Sequence, residues 1–210
     1  MTGWESRLFV DADLTVVLDV LRTAFRKVKA KHFASRPLSQ REARTDVYVV
    51  LNSAVHGLKF RDGMWLELKT RDDLLGVDEF CLSELWRKQP TPGSHLAALF
   101  AADVVDDSAF DQLADALAEL QPAVARLLRQ QPRRRVFVRK TRWSIDVGSA
   151  SLEVAELDVH GRRVVSLCLE GSPPMKMCKR LLKISDAFDK HKIRHDVGGY
   201  PRFLRDDTDH

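Results

Sequence analysis

The sequence carries no apolar run close to the ~18 residues that a membrane-spanning helix requires. Its start shows no charged leader followed by an apolar stretch, so a soluble, cytoplasmic protein with no membrane partner is the expectation. Cysteine is scarce. Cys81, Cys168 and Cys178 have no metal-like spacing, and an odd count without a disulfide framework fits a reducing compartment. There is no phosphate-cradling glycine-rich loop and no Gly-x-Ser-x-Gly elbow. His191 and His195 are four apart, but Lys192 stands where a zinc protease would carry glutamate. An excess of one charge sign is also small. A net charge of +4 and a pI of about 9.0 favour an anionic partner mildly and do not by themselves indicate nucleic acid.

What is present is material for a core and a regular alternation of charge. Hydrophobic residues make up 44% of the 210-residue chain, enough for one folded domain spanning 1–210. The stretch from Gly57 to Arg71 reads as two short strands joined by an Asp62-Gly63 turn. Side chains alternate across a strand, so Lys59 and Arg61 share one face. Beyond the turn Trp65, Glu67, Lys69 and Arg71 share a face, and Met64, Leu66 and Leu68 take the other.

Around this hairpin the chain offers further strands at Trp4 to Val10, Thr45 to Leu51, Asp78 to Lys88, Val136 to Ile145, Ser151 to Val159 and Arg162 to Glu170. Pro90, Pro92 and Gly93 are expected to end the fifth strand. Leu14, Val17, Leu18, Leu21, Phe25 and Val28 recur at helical spacing after a possible Asp11 or Asp13 cap, and that helix has a basic end. Residues 94–131 read as a helical insertion, with Ser108 as a cap and a fresh helix at Pro122. Pro173 and Pro174 open a last helix at about 174–192, basic at Lys176, Lys179, Arg180 and Lys183. Tyr200, Pro201 and Phe203 are expected to pack back. Eight strands in two groups with short turns predict an α+β protein, an eight-stranded mainly antiparallel β-barrel with helices packed outside.

The greasy faces, Met64, Leu66 and Leu68 and also Leu152 and Val154 on the side of Glu156 and Asp158, should meet the helices. That leaves the charged faces for the barrel interior, where they need opposite charges or a bound anion. Cys168 lies between Ser166 and Glu170 on an alternating face, and with no activating group in view it reads as structural. Arg133 to Arg135 could touch nucleic acid phosphates, but a charged strand start is the commoner meaning.

The pattern Gly57-x-Lys59-x-Arg61-Asp62-Gly63-x-x-x-Glu67-x-Lys69, then Trp86-x-Lys88, Lys140-x-Arg142, Glu156-x-Asp158 and Glu170, resembles the CYTH superfamily, the triphosphate tunnel metalloenzymes. The resemblance covers about residues 4 to 170. It implies an eight-stranded tunnel in which lysines and arginines hold a triphosphate and carboxylates bind Mg²⁺ or Mn²⁺. On that likeness Arg7, Lys59, Arg61, Lys69, Lys88, Lys140 and Arg142 would bind phosphate. Glu67, Lys69 and Glu156 would take catalytic roles, and Glu5, Glu156, Asp158 and Glu170 would hold metal. The partner would be a small phosphorylated ligand: a nucleotide, polyphosphate or other organic triphosphate. The chain departs from the family at its first strand. Glu5, Arg7 and Phe9 stand where the family has two glutamates and a lysine, which predicts a weaker metal site. A non-catalytic binding tunnel and an RNA or protein interaction module are the alternatives.

Overall fold

A computed structural model of the chain describes residues 4–24, 42–53, 56–61, 65–71, 86–92, 94–102, 104–130, 134–146, 150–171 and 174–206. The strands are β1 (Trp4–Val10), β2 (Glu42–Val50), β3 (His56–Arg61), β4 (Trp65–Arg71), β5 (Trp86–Pro92), β6 (Arg134–Asp146), β7 (Ala150–Val159), β8 (Arg162–Gly171) and β9 (His195–Val197). The helices are α1 (Leu14–Ala24), α2 (Ser94–Ala101), α3 (Asp107–Leu117), α4 (Pro122–Gln130), α5 (Pro174–Lys190) and α6 (Tyr200–Asp206). Hydrogen bonding orders the strands β5-β4-β3-β2-β6-β7-β8-β1-β9. The fold is α+β, with antiparallel pairing at β1–β8, β1–β9, β2–β3, β3–β4 and β7–β8.

The chain divides into two compact units. The first comprises residues 1–44, 72–86 and 139–199. Its core joins the even-numbered face of β1 and β7 and the odd-numbered face of β8 to α1 and α5, through Leu8, Val10, Leu152, Val154, Leu167 and Leu169. The helices answer with Val17, Val20 and Leu21 from α1 and Leu181, Ile184 and Phe188 from α5, each set recurring at helical spacing. Each such side chain removed from water is worth about 1.5–3 kcal/mol.

The second unit comprises residues 45–71, 87–138 and 200–210. Val47, Val49, Leu58, Phe60, Leu66 and Leu68 from β2, β3 and β4 form its sheet side. Phe100, Phe110, Leu113, Leu117, Val124 and Leu128 from α2, α3 and α4 close over it. Phe60 stacks on Phe100 at 4.9 Å, and Phe110 meets Phe100 edge-on at 5.0 Å. In each unit, therefore, the apolar strand faces meet helices, and the charged residues of β1, β3 and β4 lie on the opposite face.

Several local expectations are corrected. β5 runs through Pro90, which a strand allows where the missing N–H group is not needed by a neighbour, and ends at Pro92, just before Gly93. The part of that strand before Trp86 lies outside the described residues, as do the Asp62-Gly63 turn and the basic stretch after Ala24. Register pairs Arg61 with Trp65 across β3 and β4. The cap of α3 is Asp106, whose carboxylate accepts from the Ala109 N–H, while Ser108 Oγ donates to it. Pro122 does begin its own helix. His160 and Gly161, both with positive φ, turn β7 into β8, and Asp158 accepts from the Gly161 N–H. The strand β9 was not anticipated.

Candidate functional site

In the first unit, register brings Arg7 of β1 opposite Cys168 of β8, which lies opposite Glu153 of β7. This row sits on the face away from the helices. Arg7 Nη1 donates to Ser166 Oγ at 2.5 Å and lies 3.3 Å from Glu153 Oε1. The other oxygen of Glu153 takes Arg142 Nη1 of β6 at 2.9 Å. Arg142 then reaches Glu42 at the start of β2: Nε donates to Oε2 at 2.7 Å and Nη2 pairs with the same oxygen. Arg44 Nη1 lies 3.5 Å from Glu42 Oε1.

Burial alone would raise the Glu153 carboxyl, yet the charges of Arg7, Lys140 and Arg142 together with the Arg142 hydrogen bond hold it well below the usual carboxylate range. Glu153 is thus a buried carboxylate, ionised at neutral pH, amid three cations. Burial also tends to lower Arg142, and its bonds to Glu42 and Glu153 more than offset this, so its pKa rises. Arg7 and Lys140 are both buried, at 3% and 4% exposure.

One row along, Glu5 faces Glu170 across the β1–β8 pair. Their carboxylates and the Cys168 thiol lie within 4.8 Å of one another. Burial pushes the Cys168 thiol well up, Arg7 opposes that shift, and Glu5 and Glu170 add to it. Cys168 is therefore a neutral thiol wedged between a guanidinium and two acids.

The second unit has its own charged face. Lys59 Nζ of β3 lies 2.9 Å from Asp46 Oδ2 of β2 and 3.1 Å from Glu67 Oε2 of β4. Arg61 Nη1 holds the other oxygen of Glu67 at 2.8 Å. The side chains of Lys59, Asp46 and Glu67 are at most 3% exposed. Lys69 is buried on the same face, opposite Gly57. Tyr48 lies beneath the Lys59 ammonium, 5.7 Å from nitrogen to ring centre, and stacks on Tyr200 of α6 at 4.7 Å. Pro201 packs so closely that a Cβ on Gly57 would lie 2.5 Å from it, so glycine is required by this approach.

The structure brings Arg7, Lys140 and Arg142 together around Glu153, and Lys59 and Arg61 together with Glu67. Glu5 and Glu170 meet as a pair. Glu156 and Asp158 do not join them. They share the face of Leu152 and Val154, which is spent on the helix-packed core, and beyond that core Glu156 emerges exposed while Asp158 caps the following turn. Lys88 falls on β5, and its side chain is not among those described. Glu153, Asp46 and Glu42 were missed. Glu153 was legible, because once Leu152 and Val154 are assigned to the core, alternation leaves Glu153 as the acid of the other face.

Two other basic or titratable features have structural partners. Arg135 donates to the Phe100 carbonyl near the end of α2 at 2.5 Å, with its guanidinium 4.7 Å from the Phe137 ring. His195 is bonded through Nε2 to Ser185 Oγ at 2.6 Å and through Nδ1 to the Ile193 carbonyl, tying β9 to α5. No helix among the described residues is long and apolar enough to cross a membrane.

No protein-family model and no curated relative matches the chain. Solved structures do. An adenylyl cyclase-like protein from Hippeastrum with a dominant triphosphatase activity is 13% identical, covers 97% of this chain and 94% of its own, and superposes with a TM-score of 0.52. A protein from Bacillus halodurans named as an adenylate cyclase is 11% identical over 87% of this chain and 88% of its own, TM-score 0.47. The Schizosaccharomyces pombe RNA triphosphatase Pct1, solved with the Spt5 CTD, is 9% identical over 88% and 77%, TM-score 0.35. The chain has the fold of the CYTH-type triphosphate-tunnel proteins, the group its charge pattern resembles. At these identities the likeness is one of fold alone.

Proposed function

We propose that the protein binds a triphosphate-containing ligand through Arg7, Lys140 and Arg142 of the first unit. The observation that carries this reading is a set of cationic side chains, Arg7 and Lys140 buried and Arg142 half-buried, on the non-helical face of a triphosphate-tunnel fold around one ionised carboxylate. Burying such charges costs several kcal/mol per ion before pairing, so a fold that needed only stability would gain from apolar residues there. Guanidinium groups suit the task, since their planar N–H forks match phosphate oxygens two at a time. Lys59, Arg61 and Lys69 of the second unit are proposed as phosphate ligands on the same chemistry, each open to test by its own variant.

Hydrolysis with a divalent metal is the second reading, favoured by the Glu5–Glu170 pair. Two carboxylates with ligand oxygens completing the shell are what Mg²⁺ or Mn²⁺ accepts, so the donor set fits. The neutral Cys168 thiol is a poor ligand for so hard a cation, which leaves Glu5 and Glu170 to hold it. A bound metal would neutralise charge on the phosphate oxygens and on the leaving group. Arg7 supplies fixed positive charge beside that pair, so part of this neutralisation is built into the chain and metal affinity is correspondingly reduced.

The test is a thermal-shift titration with tripolyphosphate, ATP and thiamine triphosphate, each with and without Mn²⁺. A ligand at a hundred times its Kd stabilises the folded state by about 2.7 kcal/mol. A rise in Tm that is lost in Arg7→Met supports the proposal. The absence of a shift with every polyanion overturns it. Phosphate release on any hit then decides hydrolysis separately.

A further inference from the structure

The guanidinium of Arg142 is held from two sides by acids of very different exposure. Its Nη1 is anchored on Glu153, whose side chain is 9% exposed. Its Nε and Nη2 both point at one oxygen of Glu42, whose side chain is 46% exposed. The Nε–Nη2 edge is the fork with which arginine takes a carboxylate or a phosphoryl group side-on. Arg142 therefore presents its binding edge outward, with an acid of its own chain already in it.

We propose that Glu42 is a built-in competitor for the ligand's phosphoryl group, and that Glu153 is the positioning residue that keeps the Arg142 fork aimed when Glu42 leaves. This rests on the triphosphate-binding reading above and adds to it a determinant of affinity. The logic is one of exchange. A phosphoryl group entering the fork displaces a carboxylate that returns to water at little cost, because Glu42 is already half exposed. Arg142 does not swing away, because the buried carboxylate of Glu153 still holds Nη1. Arg44, 3.5 Å from the other oxygen of Glu42, gives the displaced carboxylate a cation to stay beside. The arrangement selects for ligands that outbid a carboxylate: a doubly charged terminal phosphate does so, and a singly charged carboxylate or sulfate ester does not.

The experiment is calorimetric titration of inorganic tripolyphosphate into the intact protein and its variants. Glu42→Gln removes the charge and keeps the shape, and its unliganded melting temperature reads any change in folding separately from affinity. It is expected to tighten tripolyphosphate binding about 3- to 10-fold, the span of an exposed-to-charge-assisted pair. Arg142→Lys, which loses the fork, is expected to weaken binding, and in that background Glu42→Gln gives no gain. Asp19→Asn, the same charge change at an exposed position on α1, leaves affinity at the wild-type value. The proposal is overturned if Glu42→Gln binds no more tightly than wild type. It is equally overturned if its gain persists in Arg142→Lys or is matched by Asp19→Asn. If the wild-type protein takes up no tripolyphosphate, the triphosphate-binding reading itself fails and this inference falls with it, whereas a binding wild type with an unchanged Glu42→Gln sinks the inference alone.

Discussion

Replacing Glu153 with glutamine is expected to destabilise the first unit severely while leaving its shape intact. The side chain keeps its volume and one carbonyl oxygen, so no cavity opens. What disappears is the negative charge that Arg7, Lys140 and Arg142 share. Arg7 is only 4% exposed at its side chain and keeps Ser166 as a neutral partner, so a buried cation loses the carboxylate 3.3 Å away. Breaking a buried pair in this way costs about 3–5 kcal/mol, against a few tenths for an exposed acid. For a chain of this length that corresponds to a fall in Tm of roughly 6–20 °C. The assay is denaturant unfolding of wild type, Glu153→Gln and Glu156→Gln at pH 7 and at falling pH. Because the folded-state pKa of Glu153 is depressed, its contribution is complete above the ordinary carboxylate range and is lost as pH drops through the folded value. The gap between wild type and Glu153→Gln should therefore be full at pH 7, begin to narrow as pH falls through the ordinary carboxylate range, and vanish in strong acid. Glu156→Gln should track wild type throughout. If Glu153→Gln lies within 1 kcal/mol of wild type, or if Glu156→Gln is the damaging change, the assignment of faces on β7 is wrong.

Three further outcomes follow from the packing. Lys59→Met removes the ammonium that Asp46 and Glu67 share, leaving Glu67 its Arg61 contact, and should cost about 3–5 kcal/mol by chemical denaturation. Gly57→Ala drives a methyl group into Pro201, so hydrogen exchange across residues 200–206 should quicken, with about 1–3 kcal/mol lost overall. Asp106→Ala removes the α3 cap and should lower stability by about 1 kcal/mol, whereas Ser108→Ala should cost less, because Ser108 only supports the capping carboxylate.

Local alternation made one half of the candidate site legible. Lys59, Arg61, Glu67 and Lys69 share a face by parity within two short strands, and the antiparallel register of β3 and β4 places Lys59 opposite Glu67. The apolar partners Leu58, Phe60, Leu66 and Leu68 announce the buried side just as plainly. The other half depends on register between strands far apart in sequence. Nothing near Cys168 shows that it lies between Arg7 and Glu153, and nothing near Glu42 shows that Arg142 will find it. The metal role given to Glu156 and Asp158 follows from the family pattern, although alternation already places them on the face of Leu152 and Val154. Parity puts that face into the helix-packed core, which leaves Glu153 as the acid of the other face. Asp106 and Ser108 were separable only by backbone geometry, since either residue type caps helices.

The most direct test of triphosphate binding is a ³¹P NMR titration of tripolyphosphate with the protein at neutral pH, run beside Arg7→Met and Arg142→Ala. A saturable, one-to-one shift and broadening of the phosphate resonances with wild type, reduced in both variants, is the expected result. Resonances that stay sharp and unshifted at equimolar protein would contradict it.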